Sequence, residues 1–306
     1  MRKTIILSPA VEKALAAKLP VVALESTVLT HGLPHPQNLE ILQELENILA
    51  SEGVTAATII VFEGHAHIGL EPELLQKILP LLQEPGYFKK LGMRDLALAA
   101  ALKQSGGTTV SATMKLAALA GIEIFATGGI GGVHRGWEQS LDISSDLWAL
   151  ANLPVAVVSA GCKAILDVSA TLECLETLAV PVLGWKTHTF PLFYTPDSKF
   201  GIPCLKNTED FAQLWNHHNN LGGKGLLVAN PIPENDALNP VEIEAQIGSC
   251  LSEAQQKSIH GKALTPFLLD CLARTTKGDS VKANLALLKN NAQLAAKLAK
   301  TLSKRG

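Results

Sequence analysis

Short apolar segments, each about as long as one strand, alternate with helix-forming segments along most of the chain. The apolar segments are Val21–Thr27, Ala57–Phe62, Ile122–Thr127, Val155–Val158, Val180–Gly184 and Gly225–Ala229. Continuous apolar runs of this kind are typical of strands that are buried on both faces of a parallel sheet. Their alternation with helices predicts an α/β fold, a three-layer α/β/α arrangement around a largely parallel or mixed central sheet.

The length of 306 residues suits one large domain or two ordinary ones. Because the sequence contains no linker, repeat or low-complexity segment, we predict a single domain over residues 1–306. Three helices are predicted to close the chain, over Val241–His260, Pro266–Thr275 and Val281–Leu302.

Charge and hydropathy restrict the possible partners. The net charge is −2, and Lys and Arg form no basic field except in the tail Lys300–Arg305, which we interpret as a solvated helix end; we therefore expect no nucleic-acid partner. We expect no membrane association either, because no apolar run approaches the ~18 residues of a membrane span. The first apolar run is broken at Ser8 and Pro9, too early for a signal peptide. Five irregularly spaced cysteines favour reduced thiols and a cytoplasmic location.

One lysine follows an apolar strand in the segment VAVVSAGCKAIL, Val155–Leu166. Strands of open α/β sheets bind ligands at their carboxyl ends, which is where Lys163 is expected. Apolar neighbours disfavour the charged ammonium, so the free amine becomes available as a nucleophile. The alternative is a lysine whose stem packs on apolar surface while its amine reaches water.

A carboxylate ends another apolar strand. Buried glutamates are rare unless they are paired or functional, so Glu25 is a candidate general acid or base. The alternative is a structural Glu25 that is satisfied by backbone amides or by a basic partner.

The loop GGIGGVHRG, Gly128–Gly136, follows a predicted strand, as phosphate-binding loops do. The loop does not match the phosphate-binding motif G-x-x-x-x-G-K-[ST]. It does not complete the dinucleotide-binding motif G-x-G-x-x-G either, because His134 stands where the third glycine belongs. His134 and Arg135 could face a ligand, and an exposed turn is the alternative.

Two carboxylates flank two hydroxyls in DISSD, Asp142–Asp146. Such oxygen donors suit Mg²⁺ or Mn²⁺, but ordinary capping of the following helix explains the pattern equally well. In the last predicted helix Asn284 lies on the apolar stripe, where a buried amide is either a structural bridge or a contact to a polar ligand.

Taken together, these segments resemble the pseudouridine-5′-phosphate glycosidase family, also known through indigoidine synthase A proteins. The resemblance extends from about residue 20 to residue 300. The matching segments, in order, are ALEST, THGLPHPQN, RDL, TTVSATM, FATGGIGGVHRG, DISSDL, VSAGCKAILD, VANPIPE, TPFLL and GDSVKANLALLKNNA. The pair FATGGIGGVHRG and DISSDL at this distance is very specific.

The resemblance implies reversible cleavage of the C–C glycosidic bond of pseudouridine 5′-phosphate to uracil and ribose 5-phosphate by a homotrimer with an α/β/α fold. It implies that Lys163 is a nucleophile that forms an imine with ring-opened ribose, that Glu25 is the proton donor, and that Asp142 holds Mn²⁺, with Mg²⁺ or another divalent ion as an alternative. It further implies substrate contacts from Lys90, Val110, Ser144, Ser145, Asp146, His134 and Asn284.

The chain departs from the family pattern at several positions. Cys162 stands where Ala or Val is usual, His35 where Tyr is common, and LGMRDL where VSRRDL is usual. Either lysine of the pair Lys89-Lys90 could align with the family lysine that contacts the substrate. Counting back from Asp95 selects Lys90. Two rival functions are a lysine-imine aldolase for another phosphosugar and a catalytically silent phosphosugar-binding protein.

Overall fold

Eleven strands pair into one sheet in the computed structural model, which describes residues 4–32, 35–259, 261 and 264–304. Two further strands, β8 (Val133–His134) and β10 (Leu166–Asp167), form a separate antiparallel pair. In chain order the strands are β1 Ile5–Leu7, β2 Val21–Glu25, β3 Thr55–Phe62, β4 His65–Ile68, β5 Phe88–Leu91, β6 Ser105–Thr108, β7 Ile124–Ala126, β8 Val133–His134, β9 Ala156–Ser159, β10 Leu166–Asp167, β11 Val182–Trp185, β12 Cys204–Leu205 and β13 Leu226–Ala229.

Across the sheet the strand order is β1, β4, β3, β2, β7, β9, β13, β11, β12, and β6 pairs with both β3 and β5. From β3 through β2, β7, β9, β13 and β11 to β12, each neighbouring pair is parallel. The hairpin of β3 and β4 and the pairing of β3 with β6 are antiparallel. The predicted mixed, largely parallel sheet is confirmed.

Helices cover the sheet. The longest, α12 (Asp279–Ser303), packs on β2, β7 and β9 and is flanked by α2 (Gln37–Ser51) and α9 (Thr208–Asn220). The helix α5 (Val110–Ala120) packs on β2 and against α7 (Ser145–Asn152). Serine hydroxyls cap two of the helices: Ser8 accepts a hydrogen bond from the first turn of α1 (Pro9–Ala16), and Ser144 accepts one from the first turn of α7 (Ser145–Asn152). The helices are α1 Pro9–Ala16, α2 Gln37–Ser51, α3 Pro72–Leu81, α4 Leu96–Ala101, α5 Val110–Ala120, α6 Trp137–Ser140, α7 Ser145–Asn152, α8 Val168–Thr177, α9 Thr208–Asn220, α10 Pro240–Gln256, α11 Leu264–Thr275 and α12 Asp279–Ser303.

The central strands are buried on both faces, as their continuous apolar sequences predicted. Every residue of β7, β9 and β13 is buried. Since a strand directs alternate side chains to opposite faces, burial of all of them requires helices on both sides of the sheet. The three-layer arrangement follows from this pattern.

The parallel strands β2, β7 and β9 are neighbours, so their carboxyl ends meet at one edge of the sheet. Glu25 is the last residue of β2, and Thr127 directly follows β7. From β2 the chain runs to β3 on one side and later to β7 on the other, which makes this a topological switch point. Crevices for ligands form at such points.

Several elements differ from the predictions. The strands β1, β4, β5, β6, β8, β10 and β12 lie outside the predicted apolar segments. The segment Arg94–Gln104, whose alanines and leucines indicate a helix, forms only α4 after a 3₁₀ turn. Residues 33 and 34 of the segment THGLPHPQN and the predicted helix end at His260 lie outside the described residues, as does Arg305 of the tail. The single domain over residues 1–306 stays a prediction.

The expectation of five reduced thiols is wrong for two cysteines. Cys250 of α10 and Cys271 of α11 form a disulfide, whereas Cys162, Cys174 and Cys204 are free. The sequence gives no sign of this pair, because the two residues meet only when α10 and α11 pack together. None of the helices in the described part of the chain has the length and apolar character that crossing a membrane requires.

Candidate active site

Two adjoining cavities open at the carboxyl edge of the sheet. We call them the Glu25 cavity and the Asp142 cavity, in which the centres of water molecules can occupy about 80 Å³ and about 290 Å³. Lys90, Thr109 and Lys163 line both cavities. A ligand with two chemically different halves could therefore lie across the two cavities and contact the same lysines.

The Glu25 carboxylate is held from two sides. The hydroxyl of Thr27 donates a hydrogen bond to Oε2, and the hydroxyl of Thr127 donates one to Oε1. Thr27 follows β2 and Thr127 follows β7, so the pairing of these two strands brings both hydroxyls to Glu25. The carboxyl group faces the same cavity as Lys163.

The backbone after β9 directs Lys163 to the cavities. Its N–H donates to the carbonyl of Ile130 at 3.0 Å, and the Ile130 N–H donates to the carbonyl of Gly161 at 3.1 Å. Because neighbouring side chains of extended backbone alternate, Cys162 is buried in the core while Lys163 is half-buried at the cavity wall. Burial raises the pKa of the Cys162 thiol to about 12.

An aromatic ring closes one side of the Glu25 cavity. Phe193 lies so near the glycine-rich loop that a Cβ atom on Gly129 would stand 2.7 Å from its ring. Phe193 has a backbone φ of 68°, which non-glycine residues rarely adopt. Leu269, Leu288 and Phe193 contribute apolar surface to the cavity that Glu25 and Lys163 also line.

Most of the side chains that line the Asp142 cavity are charged or carry hydroxyl groups. Besides Lys90 and Lys163 it is lined by His134, Asp142, Ser144, Ser145, Asp146, Asp95 and Arg94. Burial lowers the pKa of His134; the Asp142 carboxylate opposes this shift, and the ammonium groups of Lys163 and Lys90 add to it. The charges of these four side chains therefore influence one another.

Asp146 holds two backbone segments of the site together. One carboxylate oxygen accepts the Ser111 N–H at 2.9 Å, and the other accepts the Gly131 N–H at 2.8 Å. A Cβ atom on residue 131 would stand 2.4 Å from the Ser144 hydroxyl and 2.7 Å from the Asp146 carboxylate, so the contact requires glycine. Asp146, which is 5% exposed, thus fixes the glycine-rich loop against the start of α5.

The structure brings most of the predicted site residues together. Lys90 lines both cavities, whereas its neighbour Lys89 is exposed. Asn284 of α12 lines the Glu25 cavity, where its side chain is available to a ligand. Val110 is buried at the first position of α5 and lines neither cavity, so only its backbone could reach a ligand.

A divalent ion would depend on few protein donors. The described residues contain no group of three or more His, Cys, Asp and Glu side chains that could hold a metal. Both oxygens of Asp146 already accept backbone hydrogen bonds. The Asp142 carboxylate and the hydroxyl-rich wall of its cavity fit an ion that keeps several waters, as Mg²⁺ and Mn²⁺ do.

Several cavity residues were not predicted, among them Thr27, His31, Thr109, Thr127 and Phe193. Thr27 and Thr127 are each the last residue of a predicted apolar strand, and that position is a signal the sequence offers. Phe193 belongs to a loop with no such signal.

A family model described as indigoidine synthase A like protein matches residues 10–301. The chain is 50% identical over 295 residues to pseudouridine-5′-phosphate glycosidase 2 of Rhizobium johnstonii, covering 96% of this chain and 94% of the relative. It is 48% identical over 306 residues to the pseudouridine-5′-phosphate glycosidase of Caldanaerobacter subterraneus subsp. tengcongensis, covering 99% and 98%.

Two solved structures have the same fold. The prealnumycin C-glycosynthase AlnA in complex with ribulose 5-phosphate superposes with a TM-score of 0.90 at 34% identity, over 98% of this chain and 97% of the other. An indigoidine synthase A-like protein of Thermotoga maritima gives a TM-score of 0.89 at 35% identity, over 99% and 98%.

Proposed function

Because this chain belongs to the indigoidine synthase A-like family, we propose that it is an enzyme that reversibly cleaves pseudouridine 5′-phosphate with water to uracil and ribose 5-phosphate. The relatives at 45–50% identity over nearly the whole chain carry this activity in their names. The observation that carries the proposal is the shared wall of the two cavities, where Lys163 lies between the Glu25 carboxyl and the hydroxyl-rich Asp142 segment.

The bond that breaks joins two carbons, so no leaving oxygen is available for protonation as in ordinary glycosidases. We propose that the Lys163 amine forms a bond to C1′ of the sugar and that the ring oxygen leaves C1′ and takes a proton. The nitrogen lone pair then forms the imine, and the electrons of the C–C bond pass to the base carbon. Glu25 delivers the proton that this carbon takes, and water hydrolyses the imine to restore Lys163.

The base and the phosphate would occupy different cavities. The apolar wall of Phe193, Leu269 and Leu288 with the amide of Asn284 suits a flat base with polar edges. The Asp142 cavity suits the phosphate, with Lys90, the hydroxyls of Ser144 and Ser145, and the amino-terminal backbone of α5 at Val110 and of α7 at Asp146. His134 lies beside them. Anchoring the phosphate keeps the opened sugar in place, which is positional catalysis.

Asp142 would hold Mn²⁺, or another divalent ion, through its carboxylate and waters. A bound ion would add positive charge beside the phosphate. We also propose that the protein is a homotrimer. The side chains of Leu141, Ile143 and Trp148 are apolar and exposed, which supports an interface at which another copy of the chain covers them. We further propose a cytoplasmic location.

The direct test is uracil release from pseudouridine 5′-phosphate, with and without Mn²⁺, together with borohydride trapping of ribose 5-phosphate. We expect a mass adduct on Lys163 and no turnover in Lys163→Ala. An active Lys163→Ala enzyme without an adduct would exclude the imine, and an Asp142→Ala variant with unchanged metal dependence would exclude Asp142 as the ligand.

A second candidate is the joining of a phosphosugar to an aromatic acceptor other than uracil, since a C-glycosynthase has the same fold. Uracil release separates the two functions. A lysine-imine aldolase or a silent phosphosugar-binding protein would likewise release no uracil.

A further inference from the structure

Two threonine hydroxyls donate hydrogen bonds to the two oxygens of the Glu25 carboxylate. Thr27 donates to Oε2 and Thr127 donates to Oε1. The first threonine is two residues from Glu25, and the second is 102 residues away in sequence. The carboxylate is therefore tied to two separate chain segments rather than to its own strand alone.

The second of these segments is fixed on several sides. The Thr127 N–H donates to the carbonyl of Val158 at 3.0 Å, and its carbonyl accepts the side-chain amide of Asn291 at 2.8 Å. Asn291 is fully buried on α12, and its oxygen accepts the Asn230 amide at 2.9 Å. The N–H of Asn230 in turn donates to the carbonyl of Ser159 at 2.8 Å. Residues from α12 and from the ends of β9 and β13 thus hold Thr127 in place.

The first segment is also anchored. Thr27 stands between β2 and a π-helical turn over Val28–Gly32. Ser26 fixes this junction, because its hydroxyl accepts the Thr108 N–H at 3.0 Å and its carbonyl accepts the N–H groups of Leu29 and Thr30 at 3.1 Å. The Thr27 hydroxyl therefore reaches Glu25 from a rigid part of the backbone.

We propose that Thr27 and Thr127 are positioning residues, which hold Glu25 in the one orientation that its proton transfer to the base requires. A free glutamate side chain samples many rotamers, and misplacement of a catalytic group is costly. Each carboxylate oxygen keeps a second lone pair for a proton. A proton on one of these lone pairs leaves both threonine hydrogen bonds in place and is free to point toward the base. The pair therefore holds Glu25 both before and after it gives up its proton.

This role rests on the proposed function, and isosteric variants test it. Thr27→Val and Thr127→Val remove the hydroxyls and keep the shape, and we expect kcat for uracil release to fall about 10- to 100-fold with little change in KM. Borohydride trapping of ribose 5-phosphate on Lys163 is expected to persist. Thr27→Ser and Thr127→Ser, which keep the hydroxyl, are expected to retain most of kcat.

A double-mutant cycle separates positioning from a structural role. If both threonines act through Glu25, Thr127→Val in a Glu25→Gln background causes no further loss of kcat. The control is Thr187→Val, which removes a half-buried hydroxyl that contacts Thr189 and lies outside both cavities. Valine variants with the kcat of this control, or additive losses in the cycle, would overturn the proposal.

Failure of the proposed function is seen separately, as a wild-type protein that releases no uracil. In that case a crystal structure of the Thr27→Val, Thr127→Val double variant decides whether the threonines position Glu25. A Glu25 side chain that turns away from its wild-type orientation supports the proposal. An unchanged orientation overturns it whatever the substrate is.

Discussion

Two adjacent lysines of β5 have different surroundings. Lys89 is exposed, whereas Lys90 lies on the wall common to both cavities. The parallel pairing of β5 with β6 places Lys90 opposite Gly107, at the edge of the site. The strand geometry therefore supports Lys90, rather than Lys89, as the proposed phosphate contact, the same choice that counting back from Asp95 makes.

Loss of Lys90 is expected to weaken substrate binding more than catalysis. A hydrogen bond to a charged group contributes about 1.5–3 kcal/mol, so Lys90→Ala should raise KM for pseudouridine 5′-phosphate roughly 10- to 100-fold. Steady-state kinetics of uracil release measure this effect. Lys89→Ala removes the same charge from the exposed neighbour and is the matched control. Equal KM values for the two variants would contradict the assignment.

A partly buried carboxyl joins α2 to the sheet. The hydroxyl of Thr58 on β3 donates to Glu46 of α2 at 2.7 Å. Burial raises the pKa of Glu46 above its ordinary value, and the Thr58 hydrogen bond opposes this in part. The folded state consequently binds this proton more tightly than the unfolded chain does. The stability that Glu46 contributes is fully present below its ordinary pKa and is lost as pH rises through the raised one.

Glu46→Gln is therefore expected to raise the melting temperature at pH 7. The amide oxygen still accepts the Thr58 hydrogen bond, and no charge has to be buried. The gain should shrink toward pH 4, where the wild-type carboxyl is also neutral, and melting curves at the two pH values measure it. Glu44→Gln on the same helix is the control, because it loses only an exposed ion pair with Lys289. A gain independent of pH would contradict the explanation.

The sequence could predict the elements whose local pattern agrees with their final surroundings. The strands β3, β7, β9 and β13 are continuous apolar runs, and their burial between two helical layers confirmed the prediction. By contrast, β5 contains two lysines and β6 contains two glycines, so neither reads as a strand. They become strands because β6 pairs with β3, a contact between segments far apart in the chain.

The same distinction holds in the site. Glu25, Lys163 and Asp142 stand out in the sequence as charged residues beside apolar strands or helix starts, and the structure places all three at the two cavities. Phe193 has no local signal of a role, and Thr127 is marked only by its position at the end of an apolar strand, because their contacts with Gly129 and Glu25 come from loop packing and strand pairing. Sequence therefore indicates the charged groups and leaves out the neutral residues that orient them.

At the scale of the whole molecule, the carboxyl-terminal helices complete the wall of the site. Pro266 and Leu269 of α11 line the Glu25 cavity, and α12 contributes Asn284 and Leu288. The Cys250–Cys271 disulfide ties α11 to α10 across 21 residues of sequence. Both cysteines are buried, so this link is part of the packed interior rather than of the surface.

Removal of the disulfide is expected to destabilise the protein without changing its fold. Closure of a loop of this length stabilises by roughly 2–4 kcal/mol, so the Cys250→Ser, Cys271→Ser double variant should unfold at a lower denaturant concentration than wild type. Cys204→Ser, which removes a half-buried free thiol, is the control. Titration of the unreduced wild type in denaturant should find three thiols, those of Cys162, Cys174 and Cys204. Five thiols before reduction would show that Cys250 and Cys271 are unpaired, and the stability difference should then vanish.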